Sequence, residues 1–284
     1  MLADVGVIGA SSFVGRRVLA RLAAVNLRAL AFSRKPPVDA NGAWQRLPAA
    51  LEGEIPLWIC VAPVWVLPEY LPVLQSCGAR RIVALSSTSR FTKAGSADAA
   101  EQAVAARLAD AEEQVADWCD QHGIELVILR PTLIYGLGAD RNVSDIVRFV
   151  RRFGCFPVLG GATGLRQPIH ADDVAAACVA ALSVPMAGRA YNLSGGETLS
   201  YRAMVERVFM ALGQRPRIVS MPVGLLRVAV QLARCLPRYR HLTFEMACRM
   251  NRDLVFDHSD AARDLGFAPR AFRLEADDIS PPVL

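Results

Sequence analysis

Short apolar runs alternate with helical segments through the first two thirds of the chain. Apolar runs of about four to eight residues between turn signals predict buried strands, and they occur at Asp4–Gly9, Leu27–Phe32, Leu57–Ala62, Arg81–Ser86 and Glu125–Leu129. Apolar positions at helical spacing predict helices over Phe13–Val25, Pro68–Ser76 and Ala97–His122. We expect Ser96 to be the N-cap of the third of these helices and Gly123 to end it. This alternation predicts an α/β fold, a Rossmann-type doubly wound parallel sheet.

Beyond residue 131 the pattern becomes less regular. A short strand is predicted at Ala190–Leu193, and helices at Asn142–Phe153, Asp172–Ser183, Tyr201–Leu212, Gly224–Leu236 and Ser259–Leu265. We expect residues 1–131 to form a dinucleotide-binding core. Residues 132–284 are expected to form a small C-terminal substrate subdomain or lid that contributes partly to the core. Asp172 and Asp173 are expected to cap the helix that they begin, with His170 as a packing residue.

Composition narrows the class of protein. A chain of 284 residues with 53% hydrophobic and 21% charged residues is globular. Seven cysteines without a CxxC pair and four histidines without metal-ligand spacing indicate reduced thiols, a cytoplasmic protein and no metal site. The first strand begins by residue 4, so we expect no signal peptide. A net charge of +5 suits a phosphate-bearing ligand or an anionic membrane surface, and the absence of nucleic-acid-binding motifs predicts no nucleic-acid partner.

A glycine turn joins the first strand to the first helix, with the sequence Gly9-Ala10-Ser11-Ser12-Phe13-Val14-Gly15. Backbone N–H groups and the positive end of the helix dipole in such a turn bind a pyrophosphate. Gly9 suits the tight turn and Gly15 the close packing of helix on strand, while Ser12 stands where many such motifs have a glycine. Ser11, Ser12, Phe13 and Val14 are therefore expected cofactor contacts together with the two glycines.

The end of the second strand predicts the choice of cofactor. It has no acidic residue for a ribose 2′-hydroxyl, but carries Ser33, Arg34 and Lys35, which suit a 2′-phosphate. We expect NADP rather than NAD, with an exposed basic loop as the alternative. Ligands of parallel sheets bind at the carboxyl ends of strands, so Ala62, Ser86 and Pro131, which lie at three such ends, are further expected cofactor contacts.

Several segments together resemble the extended and atypical short-chain dehydrogenase/reductases, the NAD-dependent epimerase/dehydratase type. They are the glycine turn and the segments Leu85-Ser86-Ser87-Thr88-Ser89, Leu129-Arg130-Pro131-Thr132-Leu133-Ile134-Tyr135-Gly136, Arg166-Gln167-Pro168-Ile169-His170-Ala171-Asp172-Asp173-Val174 and Tyr191-Asn192-Leu193-Ser194-Gly195-Gly196. The chain is also similar in character to ligand-binding atypical members that resemble the accessory subunit of respiratory complex I.

The resemblance implies roles for three residues. Thr88 matches the family's catalytic Ser/Thr, which hydrogen-bonds the substrate carbonyl; the alternative is a hydroxyl that satisfies backbone at a strand end. Arg166 matches the arginine that contacts the substrate pyrophosphate in nucleotide-sugar members, and Thr132 is expected beside it. The resemblance identifies no proton carrier in this chain, and a bound water or Lys93 is the expected substitute.

The family's tyrosine–lysine pair is missing from this sequence. No tyrosine lies between Tyr70 and Tyr135, and by position in the long helix Val104 and Leu108 stand where the pair would be. Since apolar side chains cannot move a proton, a substitute is required. Glu101 and Arg107 are alternatives to Lys93, with a solvated surface as the default reading for each.

The expected function is that of an NADP(H)-binding oxidoreductase- or epimerase-like protein. Its substrate would be a nucleotide-sugar or lipid-linked carbonyl or alcohol. The alternative is a catalytically inactive dinucleotide-binding protein with a scaffold, redox-sensing or membrane-surface assembly role. The segment Gly224–Leu236 carries Arg227, Gln231 and Arg234 as one polar stripe on an apolar helix, which suits a peripheral membrane contact or a buried helix. The helix Ala97–His122 could pair two copies as a homodimer.

Overall fold

The structure is a computed structural model that describes residues 4–34, 44–46, 53–183, 188–225 and 244–280. Its strands in these ranges are β1 (Val5–Ile8), β2 (Ala29–Phe32), β3 (Trp44–Gln45), β4 (Leu57–Cys60), β5 (Arg81–Leu85), β6 (Glu125–Pro131), β7 (Ile134–Tyr135), β8 (Phe156–Leu159), β9 (Leu165–Arg166), β10 (Ile169–His170), β11 (Arg189–Leu193), β12 (Leu199–Ser200) and β13 (Ile218–Met221).

The helices connect these strands and cover the sheet. Two short 3-10 helices lie at Val64–Glu69 and Arg249–Asn251. The α-helices of the described ranges are α1 (Phe13–Ala24), α2 (Leu71–Ser76), α3 (Ser89–Thr92), α4 (Ala99–Gln121), α5 (Val143–Phe153), α6 (Ala171–Ala180), α7 (Tyr201–Ala211), α8 (Phe244–Cys248), α9 (Ser259–Leu265) and α10 (Ala276–Ile279).

Seven strands of the described residues form one parallel sheet in the order β11-β6-β5-β4-β1-β2-β3. Val5 pairs with Ala29 on one side and with Leu57 on the other, so β1 lies in the middle. Strand order reverses beside β1, and the carboxyl ends there border the crevice in which doubly wound sheets bind ligands. The predicted Rossmann-type sheet is confirmed.

Both faces of the sheet are buried, as the continuous apolar strands predict. One face packs α1 and α6 against alternate strand residues such as Val5, Val7 and Val83. The opposite face packs α2 and α4 against residues such as Trp58 and Ile82. The sheet is therefore the middle layer of a three-layer core.

The C-terminal half divides its residues between this core and a smaller one. α6, α9 and β11 pack on the sheet. In contrast, α5, α7 and β8 surround a separate apolar cluster that includes Tyr135, Val150, Phe209 and Phe272. The small C-terminal subdomain is thus built mainly from α5, α7 and the two-stranded pair of β8 and β13.

Two predicted helix caps are wrong. α4 begins at Ala99 rather than Ala97, because the Asp98 carboxylate accepts a hydrogen bond from the Ala100 amide at 2.9 Å. The hydroxyl of Ser96, the predicted cap, donates to Glu101 instead at 2.8 Å.

α6 is capped by His170, whose Nδ1 accepts from the Asp172 amide at 3.1 Å. Asp172 and Asp173 were the predicted caps, but their carboxylates bind the Arg270 guanidinium instead.

Two predictions from the sequence concern residues that the structure does not describe. Lys35 lies outside the described ranges, as does the predicted helix Gly224–Leu236 from residue 226 onward. Among the helices that are described, none combines the length and the apolar character needed to cross a membrane. The choice between a buried and a membrane-facing helix at Gly224–Leu236 therefore stays a prediction.

A buried carboxylate fixes α4 against the sheet. Glu112 is 2% exposed and accepts hydrogen bonds from the Ser86 hydroxyl and from the guanidinium groups of Arg90 and Arg130. Ser86 follows β5, and Arg130 lies within β6, so this one side chain joins the helix to the ends of two central strands. Such a charge is tolerated inside a protein only because it is paired and hydrogen-bonded.

We expect Glu112→Gln to lower the free energy of unfolding by about 3 kcal/mol, because it leaves two arginines without their counter-charge. Urea denaturation measures this change. Glu113→Gln is the matched control, since Glu113 is the exposed neighbour on the same helix, and it should change the stability by less than about 0.5 kcal/mol. Equal stabilities of the two variants would contradict the structural role of Glu112.

Candidate functional site

The glycine turn is shaped by contacts that leave no space for side chains. Gly9 has φ +82°, and a Cβ there would lie 2.6 Å from the amide nitrogen of Ala62 at the end of β4. A Cβ on Gly15 would collide with the carbonyl oxygen of Gly9. The turn is therefore held between β1, α1 and β4, and the structure brings Gly9, Gly15 and Ala62 together as predicted.

The first turn of α1 offers backbone donors at this place. Ser12 is the N-cap, and its hydroxyl accepts from the Gly15 amide at 3.0 Å. The amides of Phe13 and Val14 belong to the same turn, whose N–H groups have no partner within a helix. Ser12 thus caps α1 at the position where related motifs have glycine. The N–H groups of this turn are still arranged as in an anion-binding site.

The end of β2 lies beside the turn. The hydroxyls of Ser11 and Ser33 form a hydrogen bond of 2.7 Å, and the Ser33 amide donates to the Gln45 carbonyl at 3.0 Å. Ser33 is buried and Arg34 is exposed. Ser33 and Arg34 therefore lie within reach of one ligand that also contacts the turn.

A cavity of about 940 Å³ continues from the carboxyl ends of the strands into the C-terminal half. Its lining includes five of the residues that the sequence predicts for the site, namely Phe13, Thr88, Lys93, Thr132 and Arg166. Such a volume falls near the top of the range of about 300–1,000 Å³ that is typical of small-molecule sites. The cavity starts at the turn, where Phe13 is its only lining residue from α1 in the described chain.

Thr88, Ser86 and Pro131 are linked by hydrogen bonds within the protein. The Thr88 hydroxyl donates to the Pro131 carbonyl at 3.1 Å, as does the Thr88 amide. The hydroxyl proton is therefore used by the backbone, and the oxygen lone pairs can accept. Ser86 donates its hydroxyl to Glu112, on the α4 side of the sheet.

Three charged side chains meet where α4 begins. Glu101 is buried and accepts from the Ser96 hydroxyl at 2.8 Å and from the Arg249 guanidinium. Burial opposes ionisation of Glu101, but the hydrogen bonds from Arg249 and Ser96 outweigh it and hold its pKa below the ordinary value. Lys93 lies near this pair, and burial lowers its pKa although the Glu101 charge acts in the opposite direction.

Three other residues of α4 that were considered for the site have different surroundings. Val104 lines the cavity one turn after Glu101, whereas Leu108 is buried in the core against the sheet. The guanidinium of Arg107 lies 4.7 Å from the ring centre of Trp65, and neither residue lines the cavity. Of the three charged candidates for a proton carrier, Lys93 and Glu101 line the cavity and Arg107 does not.

Arg166 is a buried cation without a carboxylate partner among the described residues. It is 5% exposed, and its guanidinium donates to the carbonyls of Leu165 and Arg252 at 2.7 Å and to that of Arg249. Burial lowers its pKa to about 10, so it is charged at neutral pH. The guanidinium lies over the Tyr201 ring at 5.5 Å, another residue of the cavity lining.

Sequence reasoning missed Arg249, Tyr201 and Gln167. The Gln167 carbonyl accepts from the Thr132 hydroxyl, and its side-chain oxygen accepts from the Phe256 amide at 2.7 Å. Gln167 follows Arg166 directly and belongs to a segment that carries the family resemblance, so its position in the sequence could have indicated a place in the site. Arg249 had no such signal, because its approach to Glu101 depends on tertiary packing.

Parts of this sequence are similar to a known protein family and to two known proteins. Residues 70–194 match the NAD dependent epimerase/dehydratase family. Protein y4nG of Sinorhizobium fredii is 33% identical over 153 residues, which cover 52% of this chain and 37% of that protein. NADH dehydrogenase [ubiquinone] 1 alpha subcomplex subunit 9 of Arabidopsis thaliana mitochondria is 32% identical over 105 residues, which cover 36% and 26%. The matches span well under half the length of these two relatives.

Solved structures share the whole fold. UDP-glucuronic acid 4-epimerase from Bacillus cereus in complex with NAD superposes with a TM-score of 0.69 at 14% identity, covering 96% of this chain and 95% of that one. RMD from Pseudomonas aeruginosa complexed with NADPH gives a TM-score of 0.63 at 18% identity, covering 95% of each chain. The family model therefore matches a central part of the chain, and the structural neighbours share its fold.

We expect the Lys93 ammonium to titrate below 10.5, the ordinary lysine pKa. The chain has two lysines, Lys35 and Lys93, so NMR of protein labelled in its lysine side chains gives two signals to follow with pH. Lys93→Arg assigns the signal. Glu101→Gln should lower the Lys93 pKa further, because it removes a negative charge that stabilises the ammonium form; an increase would contradict the arrangement.

Proposed function

We propose that this protein is an NADP(H)-dependent oxidoreductase or epimerase that acts on a carbonyl or alcohol group of a nucleotide-sugar or lipid-linked substrate. The observation that carries the proposal is the junction of the glycine turn with the large cavity, at Phe13 and Thr88. A dinucleotide on the turn would extend toward this junction, and a substrate in the cavity would meet it there. Among the structural neighbours, one is an epimerase of a nucleotide sugar with bound NAD and another has bound NADPH, which supports the class of reaction.

The residues at the strand ends fit a dinucleotide. The positions of Gly9 and Gly15, where a Cβ would collide with backbone, keep the turn open for a pyrophosphate on the amides of Phe13 and Val14. Ser33 and Arg34 would hold a 2′-phosphate, and no carboxylate at these two positions repels it. When bound, the cofactor supplies or accepts a hydride at its nicotinamide ring.

Thr88 would position the reacting oxygen of the substrate. Because its own hydroxyl proton is bonded to the Pro131 carbonyl, the resting side chain suits a substrate hydroxyl that donates to it. Lys93 is the proposed proton carrier. In carbonyl reduction its ammonium gives a proton to the oxygen that gains negative charge, and in alcohol oxidation the neutral amine takes that proton back.

Arg166 would bind the anionic part of the substrate. The described residues place three backbone carbonyls and no carboxylate on this guanidinium, so a phosphate would compensate its buried charge. Three of the five N–H donors are used by these carbonyls, and the rest suit oxyanion acceptors.

A second candidate function is that of a catalytically inactive dinucleotide-binding protein. One observation favours it: on the face of α4 that reaches the cavity, the position that the resemblance assigns to the family's tyrosine holds the apolar Val104. Cofactor binding without turnover of any carbonyl or alcohol substrate would establish this alternative.

Fluorescence titration with NADPH and NADH tests the choice of cofactor. We expect tighter binding of NADPH, and a loss of about 10- to 100-fold in NADPH affinity in Arg34→Ala, because a charged hydrogen bond to the 2′-phosphate is removed. NADH affinity of the same variant is the internal control and should not change. If both cofactors weaken equally, Arg34 does not contact a 2′-phosphate.

Lys93→Arg and Lys93→Met test the proton carrier. We expect both variants to lose at least about 100-fold in kcat while NADPH affinity is retained, since arginine keeps the charge but cannot release its proton. The reduction rate of the native protein should fall as pH rises through the Lys93 pKa, because only the ammonium form donates. Full activity of Lys93→Arg would assign the residue an electrostatic role alone.

A further inference from the structure

Aromatic and methionine side chains form a large part of the cavity lining in the C-terminal half. Phe149 and Phe156 face each other edge to face with ring centres 5.4 Å apart, and both line the cavity together with Met204, Met246 and Met250. Methionine is flexible and polarisable, and adapts to irregular apolar ligands. Further apolar residues of the lining are Val104, Leu133, Ile134, Leu254 and Phe256.

Most polar groups of this lining are already hydrogen-bonded within the protein. Asp140 accepts from the amide of Asn142 at 2.8 Å and from the Ser144 hydroxyl at 2.6 Å. Gln167 accepts from the Phe256 amide. Asp145 pairs with Arg148. A ribose and a nucleobase need several hydrogen-bond donors and acceptors, but these groups already bond to other parts of the protein.

The lining arginines form two groups, which are Arg166 with Arg249 near Lys93, and Arg141, Arg148 and Arg152 on α5 or just before it. Arg166 donates to the backbone carbonyl of Arg249, and the Arg249 side chain reaches Glu101 beside Lys93. These side chains lie around the start of α4, close to the residues that follow β5. The cavity therefore combines a buried guanidinium near the reacting centre with a mainly apolar lining, which the arginines of α5 interrupt.

We propose that the cavity takes an anionic amphiphile, with a phosphate or carboxylate at Arg166 and an alkyl or isoprenoid chain along Phe149, Phe156, Met246 and Met250. This proposal rests on the proposed function and specifies its substrate class: of the two classes considered, the geometry favours a lipid-linked substrate over a nucleotide sugar. The volume of about 940 Å³ accommodates such a chain beside the reacting group.

Isothermal titration of the full chain with alkyl phosphates tests the proposal. The probes are butyl, octyl and dodecyl phosphate, each below its micelle concentration, with dodecanoate, UDP and inorganic phosphate for comparison. We expect affinity to rise by at least about tenfold from octyl to dodecyl phosphate, because each buried methylene adds favourable transfer free energy. Dodecanoate binding distinguishes a carboxylate head from a phosphate head.

Variants locate the bound chain. Met246→Asp and Phe149→Asp should each reduce dodecyl phosphate affinity at least about tenfold, because a carboxylate would be buried against the alkyl chain. Met210→Asp is the matched control, since Met210 is 60% exposed on α7 and does not line this cavity. Far-ultraviolet circular dichroism and NADPH affinity confirm that each variant is folded.

Arg166→Gln should weaken phosphates of every chain length by a similar factor, at least about tenfold. UDP binding tighter than dodecyl phosphate, or affinity independent of chain length, would overturn the proposal. Equal losses in Met210→Asp would also overturn it, because they would indicate adsorption to the surface. A failure of NADPH binding or of turnover, with amphiphile binding intact, would instead remove the proposed reaction and leave the ligand class in place.

Discussion

The position of α4 depends on one buried charge cluster, and the candidate site depends on α4. Glu112 holds the helix against β5 and β6 through Ser86, Arg90 and Arg130. With the helix held there, its first turns bring Glu101 and Val104 to the cavity. Ionic contacts of this kind are directional, so the helix cannot slide along the sheet without breaking several hydrogen bonds at once. Apolar packing alone would permit small shifts more easily.

The two halves of the chain meet across the cavity through a second ion pair. Arg249 comes from the C-terminal half and binds Glu101 at the start of α4. Arg249 also contributes its carbonyl to Arg166. A change in the charge of Glu101 would therefore be felt both by Lys93 and by the guanidinium proposed to hold the substrate anion. The proposed proton carrier and the proposed anion site belong to one electrostatic unit.

Local signals in the sequence were enough to predict the sheet and the glycine turn. Apolar runs such as Leu57–Ala62 are buried on both faces, and the positive φ of Gly9 is a conformation that glycine adopts by itself. The strands β8 and β13 were missed, because they are short and pair residues far apart in sequence. Ser96 was a plausible cap by residue type, but Asp98 two residues later caps α4 instead. The role of Arg249 arises from packing between halves of the chain, which no periodicity encodes.

The contact of Gly9 with Ala62 has a consequence for the order of folding. The turn that would bind a pyrophosphate takes its shape only where the end of β4 closes against it. An isolated peptide that contains β1, α1 and β2 has the motif but lacks this neighbour. Competence to bind a dinucleotide should thus arise late, after the non-local pairing of β1 with β4, and not with the formation of β1 and α1 alone.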